Sequence, residues 1–367
     1  MFFLLISYPQ KKDSIAYLFF TLLIVSMYYG FSYIDTADME AYQYMFDSIS
    51  NHKYDSSYSS ERIEVGFRYL LLGSKLVNRS YYFFQFLVIT IELVLLTSGL
   101  KRLGMQYKMI SISYIFLFSL FPVIMVSALR QGIVISIFIY ALPYIIEKRY
   151  VRYVVCCLIG YFFHRSSLLL LIVPILYLVG NYLLKKNISI VPFLIVFLTC
   201  NLVYFFDLRF SVENLGSSIF EGDFSENTKL NLYSKYQTTS TGMSGYGPLK
   251  IIEMDFCFFM SFLFNKKGVV DNNRLFDQSL VCISILFLIY FVLNTLFDVS
   301  MSIHRLNYYF MLPYYILLFY NLLTIFKEIK LHVTLSNLII FLYFFVFDLI
   351  TNPLSSRIFE YHISDIF

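Results

Sequence analysis

The stretch MVSALRQGIVISIFIYALPYII, residues 125–146, decides the fold. Its 22 residues are enough to cross a bilayer as a helix, which needs about 20, and after Gly132 it is almost wholly apolar. Arg130 and Gln131 stand at its leading edge. An arginine at the centre of a membrane helix costs about 2.5–3.5 kcal/mol on insertion scales, so such a residue normally faces a polar site or a helix end.

The rest of the chain agrees with that reading. The 367 residues are 59% hydrophobic and 14% charged, and the mean hydropathy is +0.69. Apolar segments recur at 14–34, 79–99, 109–127, 129–146, 150–183, 188–206, 249–265, 277–297, 305–326 and 331–350. They predict an all-α, polytopic helical membrane protein of about 10–12 membrane segments, built as a single integral domain over 1–367. No barrel-type alternation is present. Trp is absent, and 33 Tyr supply the interfacial aromatics. Scarce Ala beside abundant Ile, Phe, Tyr, Lys and Asn fits AT-rich bacterial coding. The amino end, MFFLLISY, lacks the basic flank of a cleavable leader and reads as the remnant of a longer first helix.

Loop lysines and arginines mark the cytoplasmic side. Lys11 and Lys12, then Lys101, Arg102 and Lys108, then Lys148, Arg149 and Arg152 fall on one side if every segment crosses once up to residue 150. Segment 150–183 is too long for one ordinary span and carries FFHRSS in its middle. A helical hairpin turning at His164, with arms of about 14 and 17 residues, returns Lys185, Lys186, Lys266, Lys267, Lys327 and Lys330 to the same side. Arg130, His164, Arg165, His304, Arg305 and the loops 35–78 and 207–248 then share the outer face.

Two arginines and a histidine at that face suit a phosphate or diphosphate headgroup, because the guanidinium fork matches such oxyanions. The long polar loop 207–248 suits a lid or specificity element. Carboxylates come from the first outer loop, where Asp38 and Tyr42 are four apart and share a face if helical. A carboxylate there could act as a general base toward a sugar hydroxyl. The sequence has no GxxxxGK[ST] loop, no GxGxxG and no HExxH. The five cysteines, Cys156, Cys157, Cys200, Cys257 and Cys282, lie in apolar runs without metal-site spacing. No cofactor, no metal and no nucleic-acid partner is expected.

The elements DMEAYQYMF (38–46), EVGFRYL (64–70), SALRQG through HRSSLLLLIVPILYL (127–178) and HRLNYYFMLPY (304–314) occur in an order that resembles the EpsG-like members of the Wzy-type polysaccharide polymerases. The Arg-Gln to Phe-His-x-Ser block is the specific part, and Ser167 stands where Ala is common. The resemblance implies an enzyme, a membrane glycosyltransferase. It would join undecaprenyl-diphosphate-linked oligosaccharide units into a surface polysaccharide at the outer face of the bacterial cytoplasmic membrane. It also implies neighbours in the same pathway, a flippase and a chain-length regulator. The catalytic positions it picks out are Arg130, His164, Arg305, Asp38 and Glu64. Gln131, Ser166, Tyr42, Tyr308 and Tyr309 are the substrate-binding positions. A flippase of the same lipid-linked unit, a membrane O-acyltransferase and a non-enzymatic subunit are the competing expectations.

Overall fold

The computed structural model describes residues 15–32, 37–49, 63–105, 128–185, 191–206, 248–267, 274–296 and 301–330, with scattered further positions at 110, 114, 125–126 and 335–343. The expected segments 109–127 and 331–350 and the loop 207–248 lie largely or wholly outside these residues. Within them the protein is all-helical, with eleven α-helices and one 3₁₀ segment. Tyr81–Arg102, Leu129–Ile146, Arg165–Tyr182 and Asn307–Phe326 are long and apolar enough to cross a membrane, and four shorter apolar helices accompany them. Ile- and Val-rich runs would favour strands in water. In hydrocarbon the backbone must satisfy its own hydrogen bonds, and the helix does so within one segment.

The chain divides into two compact units, residues 1–171 with 330–367, and residues 172–329. The first contains α1 (Ile15–Gly30), α2 (Ala37–Ser48), α3 (Val65–Val77), α4 (Tyr81–Arg102), α5 (Leu129–Ile146) and α6 (Tyr150–Tyr161). The chief pairings are α4 with α5, α1 with α4 and α5 with α6. Gly99 of α4 lies against the backbone of Ile139 and Tyr140, and Arg102 reaches Tyr144 and Glu147 farther along, so α4 and α5 run in the same direction. Both helices end in Schellman turns. Gly104 takes the left-handed position after α4, with φ 96°. Its N–H meets the Lys101 carbonyl, and the Met105 N–H meets that of Leu100. After α5 the same place is taken by Lys148, with φ 59°. Its N–H meets the Ile145 carbonyl and the Arg149 N–H meets that of Tyr144.

The hairpin at His164 is present. Ser167 Oγ donates to the Cys157 carbonyl at 2.7 Å, and Tyr153 Oη donates to the Leu170 carbonyl at 2.7 Å. These pairs open outward about residue 162, as the two arms of a reversal must. The arms differ from those expected. The first, α6, has only 12 residues, or about 18 Å of helix. The return begins with eight residues of 3₁₀ helix, Arg165–Ile172, which rise about 2.0 Å each. That tighter winding lengthens Arg165–Tyr182 to about 31 Å, enough for a 30 Å core. Val151, Val154, Val155, Leu158 and Ile159 of α6 are exposed, as expected of a helix surface solvated by lipid.

Segment 35–78, read from sequence as an outer loop, contains α2 and α3. Each is too short for a span, at 12 and 13 residues, and α2 is polar as well, so a scan for long apolar runs misses them. Each still buries a helical stripe: Met39, Tyr42 and Phe46 on α2, and Phe67, Leu71 and Ser74 on α3. Lys75 of α3 fastens the pair. Its ammonium donates to the carbonyls of Phe46, Asp47 and Ile49 at 2.6, 3.0 and 3.1 Å. It thereby closes the C-terminus of α2 where the helix dipole favours a cation. Lys75→Met keeps much of the stem and frees these carbonyls. We expect it to lower stability by about 1–3 kcal/mol, read as an earlier thermal unfolding transition in detergent, with Lys75→Arg losing less.

The second unit holds α7 (Val173–Lys185), α8 (Val191–Phe205), α9 (Pro248–Lys267), α10 (Arg274–Leu296) and α11 (Met301–Glu328). Polar contacts join its helices, two buried and one half-buried. Tyr314 Oη donates to Glu253, Asn307 Nδ2 donates to Asn294 Oδ1 at 2.8 Å, and Asn201 Nδ2 donates to Asp255 at 3.1 Å. In an apolar medium such bonds hold helices together where the hydrophobic effect cannot. All five cysteines are free thiols.

Candidate functional site

Arg130 occupies the second position of α5, and its guanidinium is committed. Nη1 donates to Glu64 Oε2 at 2.8 Å, with the two side chains 23% and 11% exposed. The guanidinium carbon lies 5.6 Å from the centre of the Tyr42 ring, within cation–π range. Tyr42 is buried and leans on Phe67, centroids 5.5 Å apart. The buried Nε of Arg130 has no hydrogen-bond partner among the described residues. Three helices thus contribute one group each: α2 the aromatic face, the start of α3 the carboxylate, the start of α5 the cation.

The His164 turn is tied to the same place through the backbone. The Gly66 N–H donates to the Phe162 carbonyl at 2.8 Å. A Cβ at Gly66 would lie 2.9 Å from that oxygen, so only glycine allows the approach. Glu64 lies two residues before this bond and His164 two residues after it. Gly160 has a similar role, since a Cβ there would lie 2.5 Å from Ser167 Oγ. The hydroxyl of Ser167 closes the hairpin by donating to the Cys157 carbonyl.

His164 Nδ1 stands 2.6 Å from Ser166 Oγ and 3.3 Å from the Ser166 N–H. A backbone N–H can only donate, so Nδ1 accepts and the neutral ring carries its proton on Nε2. That tautomer makes Nε2–H a donor toward whatever it faces. Ser166 and Gln131 are buried, and Asp38, one turn before Tyr42 on α2, is half-buried.

The sequence-derived set therefore divides. Arg130, Glu64 and Tyr42 are in direct contact, and the backbone links His164 and Ser166 to them. Arg305, Tyr308 and Tyr309 belong to α11 of the second unit. Tyr309 is buried and Tyr308 half-buried, while the side chain of Arg305 lies outside the described residues.

At the far end of α5 a second charged group gathers. Arg102 pairs with Glu147 at 3.2 Å and lies over Tyr144 at 4.1 Å, and Arg149 pairs with Glu147 at 3.3 Å. These are residues that the charge pattern assigns to the cytoplasmic side. They and Arg130 stand at opposite ends of an 18-residue helix.

Glu92 escaped the sequence reading. It lies inside α4, fully buried, and neither carboxyl oxygen has a hydrogen-bond partner among the described residues. Counting two turns back from the Gly99 contact puts it level with Gly132 of α5. A single acid within an apolar run was the available signal, since intramembrane ionisable residues are rarely incidental.

Fold and site together define a polytopic helical membrane protein with an arginine–carboxylate pair at one end of its helices. The chain belongs to the EpsG family, whose profile matches residues 15–363, a family linked to exopolysaccharide biosynthesis. No curated protein and no solved structure matches it.

Proposed function

We propose that the protein is a membrane glycosyltransferase that polymerises lipid-diphosphate-linked oligosaccharide units at the outer face of the cytoplasmic membrane. The observation that carries this reading is the Arg130 guanidinium, held at a helix end by Glu64 at 2.8 Å and Tyr42 at 5.6 Å. An arginine so placed is suited to a diphosphate that enters with its lipid in the bilayer. The positive-inside rule supports the sidedness, because the Arg102–Glu147–Arg149 group is at the opposite end of α5.

The chemistry follows from those groups. An acceptor hydroxyl oxygen forms a bond to the anomeric carbon of the donor sugar. The bond from that carbon to the diphosphate oxygen breaks, and its electron pair leaves with the diphosphate. Arg130 stabilises that growing charge, the kind of interaction that usually contributes most to catalysis. His164, with Nε2–H as donor, adds a hydrogen bond to a phosphate oxygen. The hydroxyl proton passes to a carboxylate, Glu64 or Asp38.

Purified protein supplied with one defined lipid-linked repeat unit is expected to give a ladder of chain lengths on a gel. Recovery of the single unit alone, from folded protein, rejects the reading. In cells the rivals separate: loss of a polymerase leaves single units outside, loss of a flippase traps them inside, and loss of an acyltransferase leaves chain length unchanged.

A further inference from the structure

We propose that Glu64 is a stand-in anion: in the resting protein its carboxylate holds the place on Arg130 that the donor's diphosphate takes, and donor binding releases it. The inference rests on the reading of Arg130 as the diphosphate-binding residue and adds how that residue is kept and when the carboxylate becomes available.

Glu64 is the N-cap residue of α3, yet its side chain makes no capping bond to its own helix. It is turned instead onto Arg130 Nη1 at 2.8 Å. An unpaired guanidinium at a half-buried position would be poorly solvated, and the carboxylate relieves that cost while the site lacks substrate. The bond uses one of the five N–H donors of the fork. A diphosphate brings more negative charge and can engage two donors side by side. It cannot share the guanidinium comfortably with a carboxylate, because like charges at such range repel in a medium of reduced dielectric.

Release does not strand Glu64. The first-turn N–H groups of α3, that of Phe67 among them, and the helix dipole favour an anion at this end of the helix. The displaced carboxylate therefore has a local acceptor role waiting within its own turn. Nor does release open the site. Tyr42 remains against Phe67, and the Gly66–Phe162 backbone bond holds α3 to the His164 turn without help from the ion pair. In consequence a carboxylate able to take the acceptor's proton is set free only after the donor has arrived, which orders the two substrates.

The test is the affinity of the purified full-length protein for two probes, inorganic pyrophosphate and farnesyl diphosphate, with and without the competing carboxylate. Glu64→Gln keeps the side chain's size and removes its charge. The Kd for both probes is expected to fall about 5- to 10-fold while polymer formation drops. Glu64→Asp, one methylene shorter and still charged, is expected to tighten binding less and serves if the glutamine variant does not fold. An unchanged or weaker Kd in either folded variant overturns the exchange. Arg130→Ala distinguishes this from failure of the underlying reading. Loss of probe binding in that variant upholds Arg130 as the diphosphate site whatever Glu64 does, and unaltered binding removes the basis of both.

Discussion

Arg130→Ala is expected to abolish visible polymer and leave single lipid-linked units, with the rate of unit addition reduced by about 10²–10³. The magnitude is that of removing a group aimed at charge developing in the transition state. Arg130→Lys should recover only a small part of it. A lysine keeps the positive charge but offers a point donor where a planar fork served Glu64 and Tyr42. A structural effect has to be separated from the chemical one. Truncating Arg130 leaves the Glu64 carboxylate, 11% exposed, without its counter-charge, and half of a buried pair is more costly than none. The double variant Arg130→Ala with Glu64→Gln removes that strain. If it unfolds at the wild-type temperature and makes far less polymer than Glu64→Gln alone, the additional loss belongs to the chemistry of Arg130. If it regains long chains, Arg130 is a structural residue and the proposed function has lost its carrier.

What the sequence disclosed follows from how strongly each feature is written into local pattern. Residues 129–146 form the helix expected of them because an 18-residue apolar run has one solution in lipid. The turn at His164 was legible from length and charge together, since only a reversal there satisfied every basic loop. The winding of its return arm was not, because a 3₁₀ stretch leaves no compositional mark. Helices α2 and α3 were hidden because each, at 12 and 13 residues, falls short of a span, and the three-residue stripe it buries is no longer than chance would give. Arg130 and His164 could be picked out as ionisable residues beside apolar spans, whereas Glu64, an acid of the first outer loop, and Tyr42, one of 33 tyrosines, were singled out by the resemblance. Their pairing could not be picked out. Glu64 and Arg130 are 66 positions apart, and sequence reasoning assigned them to different substrates. Lys75 and Glu92 went unnoticed because one looks like an ordinary surface lysine and the other like an isolated acid.

Gly99→Leu is expected to be the most damaging single substitution away from the charged site. An ideal Cβ at Gly99 would lie 2.5 Å from the Ile139 carbonyl oxygen and 2.8 Å from the Tyr140 Cα. Both obstacles are backbone atoms of α5, so no rotamer change relieves the clash and the two helices must separate. Overfilling a packed interior costs about 1–3 kcal/mol when neighbouring side chains can yield, and here they cannot, so the loss should reach the upper end or beyond. The same α4 face carries Glu92 and Leu96, both buried, and widening the seam would admit lipid or water beside them. The contrast is Gly73, inside α3, where a new Cβ meets nothing within 4 Å. Gly73→Ala gains helix propensity and is expected to add about 0.5–1 kcal/mol. Thermal unfolding of both variants in the same detergent should therefore move in opposite directions. If Gly99→Leu unfolds at the wild-type temperature, α4 and α5 are not in backbone contact in the membrane protein, and the position of Arg130 relative to α4 would have to be redrawn.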